Sequence, residues 1–375
     1  MRFAQLIFGV IAGLVLRQII NAILLLFKYD NSITRTEKIG DSADFVSRPV
    51  EKDHRIFTCG YDMKEFYIHM FEDWFSHGPV DVVPLTAESA KDSNSFDLLV
   101  YGWGGYCNGW GKQKIDLPWT SINFFGTALF VSQEWFGGDI WINGTPPLNS
   151  YFIGYVADSK QNIRVFGVAV DLLLLGETCW SMIFMHERKP KSTKEHYMVY
   201  TASNCVPYRE EAVVTLSQID TVHYGGSCFG NIMNASRIVP ASNKRARGEH
   251  MWKKNWNLYS VYRFCLVLEN HKIEGYVTEK ILHAFLGGCI PVYYGTEEIF
   301  AIFNRNAFIY YNVSDPQPAI DRIAYLEANK TAYDEILFGE PILADGNKTI
   351  EKYFSLSDEI GNGKLKRRIR EMIKM

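Results

Sequence analysis

The sequence lacks the short motifs by which many proteins hold a metal ion or the phosphates of a nucleotide. Its seven cysteines form no Cys-x-x-Cys pair and show no zinc-binding spacing. No Asp-x-Asp occurs anywhere in the 375 residues. The Gly-rich segment 102–112 has the wrong glycine spacing for a Walker loop, and Gln113 stands where that loop needs Ser or Thr. These absences predict a chain without a zinc site or a Walker-type nucleotide site.

The chain also lacks an excess of positive charge. Its 39 Lys and Arg stand against 42 Asp and Glu, which gives a formal net charge of −3. A nucleic-acid-binding protein needs a basic face for the phosphate backbone, so we expect no nucleic-acid partner. A hydrophobic fraction of 47% with 22% charged residues is typical of globular proteins, and the length suffices for two domains.

Residues 3–27 form one long apolar run with a single charged residue, Arg17, near its middle. A helix of this length, at about 1.5 Å per residue, spans the roughly 30 Å hydrocarbon core of a membrane. Arg17 costs about 2.5–3.5 kcal/mol on insertion scales, but each Leu, Ile, Val or Phe returns about 0.3–0.6 kcal/mol. No cleavage site follows, so residues 1–27 are predicted to be a cytosolic end and an uncleaved signal anchor. A soluble amphipathic helix is the alternative.

Five Asn-x-Ser/Thr sequons lie downstream of this run, and each asparagine is a candidate glycosylation site. They are Asn143, Asn234, Asn312, Asn329 and Asn347. One such motif is a weak signal because it is short, but five behind a signal anchor favour a lumenal body. The short N-terminal arm suits a cytosolic N-terminus, which predicts a single-pass type II membrane protein.

Composition divides the rest of the chain into four segments. Residues 28–52 are polar and predict a stem, whereas residues 53–185 mix strand-like runs with Gly-rich turns. A charged stretch containing Pro190 predicts a domain boundary, so a second domain covers residues 186–345. From residue 197 strand and helix patterns alternate, which implies a parallel sheet with helices on both faces.

The fourth segment, residues 346–375, ends in a basic tail. The tail carries six Lys or Arg and one Glu, and its apolar residues share one helical face: Leu365, Ile369, Met372 and Ile373. A basic amphipathic helix lies on a membrane surface or packs on the protein with its basic side in solvent. The sequence leaves both possibilities open.

The segment 262–295 holds the densest pattern. It predicts a buried strand over Tyr262–Leu268, a helix over Tyr276–Leu286 and a strand over Ile290–Tyr294. Ligands of parallel sheets bind at the carboxyl ends of the strands, where helix N-termini point. We therefore expect a ligand beside the polar loop between the first strand and the helix.

Lys280 lies in the first turn of that predicted helix, where the helix dipole disfavours a cation. Its presence is explained if a phosphate occupies the same place, with Thr278 or a near neighbour as the N-cap. Glu279 beside it is placed to accept hydrogen bonds from ribose or sugar hydroxyls. A structural Glu–Lys ion pair is the alternative.

This segment resembles the signature of the inverting α1,3/4-fucosyltransferases. The matching positions are Tyr262, Phe264, Leu266, Glu269, Asn270, Tyr276, Val277, Thr278, Glu279, Lys280, Pro291 and Gly295. Two positions depart from the family pattern: Leu268 replaces a Phe, and Gly275 stands where animal enzymes tend to have Asp. Residues 203–205 followed by Arg209, and the Gly-rich segment 225–228, resemble the first βα unit of the same family. The resemblance covers roughly residues 95–345 and is strong after residue 197.

The resemblance implies a GT-B architecture, in which two Rossmann-like domains face each other across a cleft. The C-terminal domain would bind GDP-fucose and the N-terminal domain the acceptor. Without Asp-x-Asp, the metal-bridged diphosphate site of GT-A enzymes is missing, so Arg209 and Lys280 are expected to neutralise the leaving diphosphate. No cofactor is then required, and a divalent metal is at most stimulatory. Asn270, Tyr276 and Glu279 complete the expected donor site.

The same resemblance implies that Glu134 is the catalytic base, because the family places a Glu just after an early strand of the acceptor domain. It would remove the proton of the acceptor hydroxyl as the fucose C1 gains oxocarbenium character. The neighbouring aromatic side chains of Trp135 and Phe136 would desolvate Glu134 and raise its pKa. A surface Glu without a catalytic role is the alternative, with Asp139 and Asp158 as the next candidate bases.

Four cysteines and one arginine carry further expectations. The resemblance implies a disulfide between Cys205 and Cys228, with two free thiols as the alternative. Cys265 and Cys289 lie in apolar runs and are expected to be buried thiols. Arg164 is expected at a strand end in solvent rather than in contact with donor or acceptor.

The resemblance, together with the anchor and sequons, thus implies a Golgi enzyme that moves fucose with inversion to a glycan hydroxyl, O3 of GlcNAc, and leaves an α1,4 linkage as the alternative to α1,3. One alternative is a GT-B transferase that uses another sugar nucleotide. The other is an inactive lumenal homologue that only binds glycans.

Overall fold

The structure is a computed structural model that describes nine ranges of the chain. They are residues 55–59, 81–84, 98–101, 127–132, 150–155, 157–186, 195–228, 237–241 and 255–373. Residues 1–52 with the predicted anchor and stem, and the site residues Glu134, Asn143 and Asn234, lie outside these ranges. Among the described residues, no helix is both long and apolar enough to cross a membrane.

The first half of the described chain forms a six-stranded parallel sheet. Its strands are β1 (Arg55–Cys59), β2 (Asp81–Pro84), β3 (Leu98–Tyr101), β4 (Thr127–Ser132), β5 (Ser150–Gly154) and β6 (Asn162–Arg164). They pair in the order β2-β1-β3-β4-β5-β6, and every pair is parallel. The side chains of Phe57, Ile153 and Ile163 are buried. Two of the strand-like runs of the sequence, residues 97–102 and 128–132, thus form β3 and β4.

The second half forms another six-stranded parallel sheet. Its strands are β7 (His196–Ala202), β8 (Val222–Gly226), β9 (Ile238–Pro240), β10 (Tyr262–Leu268), β11 (Ile290–Tyr294) and β12 (Ile309–Tyr310). The order is β12-β11-β10-β7-β8-β9. All residues of β10 except Arg263 are buried, as expected for a central strand that is covered on both faces. The bounds of β10 and β11 match the sequence prediction.

Helices cover both faces of the second sheet. The α-helices are α1 (Gly167–Leu175), α2 (Glu177–Phe184), α3 (Pro207–Leu216), α4 (Asn255–Tyr259), α5 (Glu279–Gly287), α6 (Ile299–Ile302), α7 (Gln317–Ala328), α8 (Lys330–Asp334), α9 (Gly346–Thr349) and α10 (Lys364–Ile373). Short 3-10 turns span Arg305–Ala307 and Gly361–Gly363, and π-helical turns span Glu335–Gly339 and Ile350–Phe354.

The side chains of β10 alternate between two hydrophobic clusters. Cys265 and Val267 pack with residues of α1, α5 and α10, whereas Phe264, Leu266 and Leu268 pack with residues of α3 and α7. Helix α1 follows the first sheet but packs in a hydrophobic cluster of the second, and residues 187–194, next to the predicted boundary, lie outside the described ranges. That boundary and the one near residue 345 stay predictions, and all described residues belong to the compact unit Asp53–Met375.

The basic tail packs on the protein. On α10, the side chains of Leu365, Ile369 and Ile373 are at most 2% exposed within the first hydrophobic cluster. Arg368, on the exposed side, binds Asp158 at 2.7 Å. Of the two possibilities that the sequence left open, the structure has the packed helix, whose apolar face is covered by protein.

Cys265 and Cys289 are buried, but the prediction of free thiols was wrong. They form a disulfide with a Cα–Cα distance of 5.9 Å. Cys289 directly precedes β11, the neighbour of β10 in the sheet, so the two side chains start from adjacent backbones. The apolar runs indicated burial but not that the two runs pair.

Candidate functional site

The carboxyl ends of β7 and β10 bring two helix starts to one place. The two strands are parallel neighbours, with Leu266 of β10 opposite Tyr200 of β7. Helix α3 follows β7 and has Arg209 as its third residue, whereas α5 follows β10 and has Lys280 as its second residue. Arg209 and Lys280 therefore both lie at the carboxyl-end edge of the sheet, which is where parallel sheets bind ligands.

Arg209 is buried, with 2% of its surface exposed. Its Nη1 donates a hydrogen bond to Oδ1 of Asn270, and its guanidinium lies 5.4 Å from the ring centre of Tyr200. Within the described part of the chain its Nε has no hydrogen-bond partner. A buried donor without a partner costs roughly 1–3 kcal/mol, so this nitrogen is ready to bind an acceptor that the chain does not supply.

Lys280 is held by Glu269, the residue that directly follows β10. The Nζ of Lys280 lies 2.9 Å from Oε2 of Glu269 and 2.9 Å from Oγ1 of Thr278. The carboxylate of Glu269 is wholly buried and also accepts hydrogen bonds from N and Oγ1 of Thr278, both at 2.8 Å. Thr278 occupies the predicted N-cap position of α5, but its side chain accepts no hydrogen bond from the helix, and its hydroxyl donates to Glu269 instead.

The two cations thus bind consecutive residues, since Lys280 holds Glu269 and Arg209 holds Asn270. Both positive charges also act on Tyr208, whose hydroxyl donates to the carbonyl oxygen of Glu269 at 2.5 Å. Burial raises the pKa of Tyr208 to about 12, even though Arg209 and Lys280 both favour the phenolate. The structure therefore brings together the two residues that the sequence assigned to one anion.

Glu279 and His283 lie one turn apart on α5. Burial raises the pKa of Glu279, but the charge of Lys280 and a hydrogen bond from its own backbone N–H outweigh burial and keep that pKa below the ordinary range. Burial and the charge of Lys280 lower the pKa of His283 to about 4, against the pull of Glu279. Nδ1 of His283 has no hydrogen-bond partner among the described residues. The centre of the His283 ring lies 5.2 Å from the centre of the Trp256 ring. The structure thus holds Glu279 as a carboxylate beside a neutral imidazole.

Tyr276 lies on the loop that leads into α5, and only 1% of its surface is exposed. The centre of its ring lies 6.2 Å from the centre of the His271 ring. With Asn270, Glu279 and Lys280, this places four of the five predicted donor-site residues on one continuous segment after β10. Arg209 joins them from α3.

The disulfide that the resemblance implied between Cys205 and Cys228 is present, with a Cα–Cα distance of 5.3 Å. It joins the loop before α3 to the end of β8, and Ser227 donates its N–H to the carbonyl of Ala202 at 3.1 Å. Gly226 has φ +122°, and a Cβ there would lie 1.8 Å from that carbonyl oxygen. The start of α3, and with it Arg209, is therefore fixed from the side of β8.

Arg164 is not in solvent, so that prediction was wrong. Its Nη2 lies 3.0 Å from Oε1 of Glu274, and its Nη1 donates to Oε1 of Glu298. Sequence reasoning missed Glu298 altogether. The only signal was a pair of acidic residues just after Gly295, the last position of the family signature.

Other predicted site residues are placed as follows. Asp158 accepts hydrogen bonds from the backbone N–H of Arg164 and from the side chain of Arg368. Burial raises the pKa of Asp158, but these two contacts hold that pKa below its ordinary value, which does not suit a base.

The sequon residues Asn312 and Asn347 are exposed. Asn329 is half-buried: its Oδ1 accepts the N–H of Ala332 at 3.0 Å and so caps α8. The residues predicted as bases in the first half, Glu134 and Asp139, lie outside the described ranges.

Residues 191–337 match the family model "Glycosyltransferase family 10 (fucosyltransferase) C-term". The matched segment is less than half of the chain. It contains β7 to β12 and every predicted donor-binding residue. The match agrees with the resemblance seen in the 262–295 segment.

Curated relatives match part of the chain. An α-(1,3)-fucosyltransferase FucT of Helicobacter pylori is 33% identical over 153 residues, which are 40% of this chain and 28% of that protein. The α-(1,3)-fucosyltransferase B of Drosophila melanogaster is 26% identical over 218 residues, 52% of this chain and 47% of that protein. The chain thus matches less than half the length of either relative.

Solved structures extend the likeness to the whole fold. A crystal structure of an α1,3-fucosyltransferase covers 89% of this chain and 94% of its own, with 20% identity and a TM-score of 0.55. Another, of an α1,3-fucosyltransferase with GDP-fucose, covers 91% and 94%, with 19% identity and a TM-score of 0.53. At this identity the likeness establishes the fold, an α/β fold of the GT-B type.

The buried pair of Glu269 and Lys280 makes a stability prediction. Lys280→Met leaves the wholly buried Glu269 carboxylate without its cation, so we expect the free energy of unfolding to fall by about 3–5 kcal/mol in a denaturant titration. Lys330→Met, which breaks the exposed pair with Asp334, is the control and costs less than about 1 kcal/mol. Adding Glu269→Gln to Lys280→Met is expected to recover part of the lost stability, because it removes the unpaired buried charge. If Lys280→Met and Lys330→Met lose equal stability, Glu269 and Lys280 do not form a buried ion pair.

His283 makes a prediction about pH. Its pKa is about 4 in the folded protein and near 6.5 when unfolded, so between these values the unfolded chain binds more protons. Stability is therefore lost as the pH falls from about 6.5 to about 4, by up to about 1.4 kcal/mol per pH unit from this residue. We expect His283→Asn to flatten the dependence of the melting temperature on pH in this window. Parallel curves for variant and wild type rule out the buried neutral imidazole.

Proposed function

We propose that this protein transfers L-fucose from GDP-fucose to a hydroxyl of a glycan, O3 of GlcNAc, with inversion at the sugar. One observation carries the proposal: two cations meet at the carboxyl end of β7 and β10, and the buried Nε of Arg209 lacks a partner among the described residues. A departing nucleoside diphosphate is the anion that a family 10 domain needs to stabilise, and helix N-termini favour phosphates. The α1,3-fucosyltransferase structure with GDP-fucose supports the choice of donor.

In the proposed reaction, Glu134 takes the proton of the acceptor hydroxyl while the acceptor oxygen attacks the fucose C1. The bond from C1 to the diphosphate oxygen breaks, and the negative charge of the released GDP is stabilised by Arg209 and Lys280. Asn270 orients Arg209 through its hydrogen bond. Tyr276 and Glu279 complete the donor pocket, with the Glu279 carboxylate accepting from sugar or ribose hydroxyls. No metal ion or cofactor is required, although a divalent metal is allowed to stimulate.

The proposed setting is the Golgi membrane, with residues 3–27 as a type II signal anchor and the catalytic body in the lumen. The two disulfides, Cys205–Cys228 and Cys265–Cys289, support this setting because disulfides persist in oxidising compartments. The exposed sequon residues Asn312 and Asn347 are the proposed glycan carriers within the described ranges. Asn143 and Asn234 stay candidates, whereas the side chain of Asn329 is engaged in capping a helix.

The donor-binding role of Arg209 is tested by turnover and by binding. Loss of a group that stabilises developing charge lowers kcat by about 100- to 1000-fold, so we expect Arg209→Ala to lose that much GDP release with GDP-fucose and a glycan array, with products identified by mass spectrometry. We also expect weaker GDP binding. Arg322→Ala, an exposed arginine on α7, is the control. If the wild-type protein turns over another sugar nucleotide but not GDP-fucose, it is a GT-B transferase with a different donor. If it turns over no donor, the inactive glycan-binding homologue is favoured.

Glu134 is tested by separating binding from chemistry. Glu134→Gln keeps the shape of the side chain but cannot take a proton, so we expect turnover to fall about 100-fold or more while GDP affinity stays at the wild-type value. Isothermal titration with GDP measures the second quantity. Wild-type turnover in Glu134→Gln assigns the base to another residue, and joint loss of turnover and GDP affinity gives Glu134 a donor-binding role.

A further inference from the structure

Arg164 joins the first sheet to the segment that carries the donor-site residues. It is the last residue of β6, and its side chain is 16% exposed. One nitrogen, Nη2, pairs with Glu274, which is 73% exposed, while Nη1 binds Glu298, which is 28% exposed. Because solvent screens exposed pairs, the contact with Glu298 is the stronger one.

Glu298 uses its two carboxylate oxygens for different partners. Oε1 accepts from Arg164, and Oε2 accepts from the backbone N–H of Gly275. A single side chain thus connects the end of the first sheet to the backbone of the loop between β10 and α5. Hydrogen bonds to a charged acceptor are stronger than neutral ones, so Glu298 holds the backbone of Gly275 strongly to Arg164.

The loop is also in direct contact with backbone from the first half of the chain. Gly275 has φ +78°, and a Cβ at this position would lie 2.0 Å from the carbonyl oxygen of Tyr155. Two residues later, the N–H of Val168 in α1 donates to the carbonyl of Val277 at 3.0 Å. This close approach explains why the chain has Gly where the resemblance expects Asp.

Both ends of this loop are site residues. It begins after Asn270, the partner of Arg209, and ends at Thr278, which binds Glu269 and Lys280. We propose that Arg164 and Glu298 are positioning residues, which fix the loop 271–277 against the first half of the chain and so preorganise the donor site. The inference rests on the proposed function, because it assigns these residues to the same nucleotide site.

A simple structural brace is the competing explanation, and the chain offers a matched control for it. Arg263 of β10 and Glu327 of α7 form another partly buried pair, with contacts of 2.6 Å and 2.5 Å and exposures of 26% and 17%. This pair holds α7 to the sheet at the second residue of β10, whereas the loop follows the end of that strand. Breaking it removes a comparable ion pair without freeing residues 271–277.

The experiment compares Glu298→Gln, Glu298→Ala and Glu327→Ala in the otherwise unchanged chain. GDP affinity is measured by titration calorimetry, amide exchange of residues 271–277 by mass spectrometry, and stability by thermal unfolding. We expect Glu298→Ala to weaken GDP binding about tenfold and to speed exchange in the loop, because the loop must then be ordered on binding. Glu298→Gln, which keeps an acceptor for Gly275, shows a smaller effect, and Glu327→Ala lowers the melting temperature with GDP affinity unchanged.

Each outcome bears on one claim. Wild-type GDP affinity in a folded Glu298→Ala overturns the inference, as does an equal loss of affinity in Glu327→Ala. If Glu298→Ala does not fold, Arg164→Gln with and without Glu298→Gln replaces it: the double variant is expected to bind GDP no more weakly than the worse single variant, and additive losses overturn the inference. A wild-type protein that binds no GDP overturns the proposed function instead, which is a separate result of the same titration.

Discussion

The carboxylate of Glu269 is a charge that the fold places wholly out of contact with water. Such a group is tolerated only when it is paired and fully hydrogen-bonded, and here Thr278 and Lys280 supply both. The requirement determines the path of the chain after β10, because the backbone N–H of Thr278 must reach the end of that strand before α5 can begin. The cation at the start of α5 is thus oriented by the chain itself.

The elements of this region were largely predictable, and the same carboxylate explains the exception. Unbroken apolar runs gave β10 and β11 their observed bounds, since a central parallel strand is buried on both faces. Helix α5 begins at Glu279, three residues later than predicted from Tyr276. The pattern could not exclude the earlier start, because Tyr276 and Val277 are buried like the residues of the helix itself, although Thr278 must first bind Glu269. Likewise, the unfavourable position of Lys280 at the start of a helix predicted a nearby anion. It did not predict that the carboxylate of Glu269, in the same motif, is an anion that pairs with Lys280.

Contacts between distant segments were the part that the sequence did not reveal. Arg164 and Glu298 are 134 residues apart, and Cys265 and Cys289 pair across neighbouring strands. Periodicity indicates which face of a strand or helix is buried, but the partner on that face depends on strand order and register. The resemblance supplied one such contact, Cys205–Cys228, because it carried pairing information that composition and spacing lack. It supplied none for Arg164, which lies where the resemblance is weak.

The two cations of the site are not equivalent, and the difference follows from their partners. Lys280 is paired with a carboxylate, so an anion that approaches it also meets the negative charge of Glu269. The partner of Arg209 is Asn270, a neutral amide, and its Nε faces no acceptor among the described residues. In the proposed donor complex, Arg209 therefore provides more of the attraction for the diphosphate than Lys280 does. This attraction is strongest for the negative charge that develops on the diphosphate as its bond to the sugar breaks.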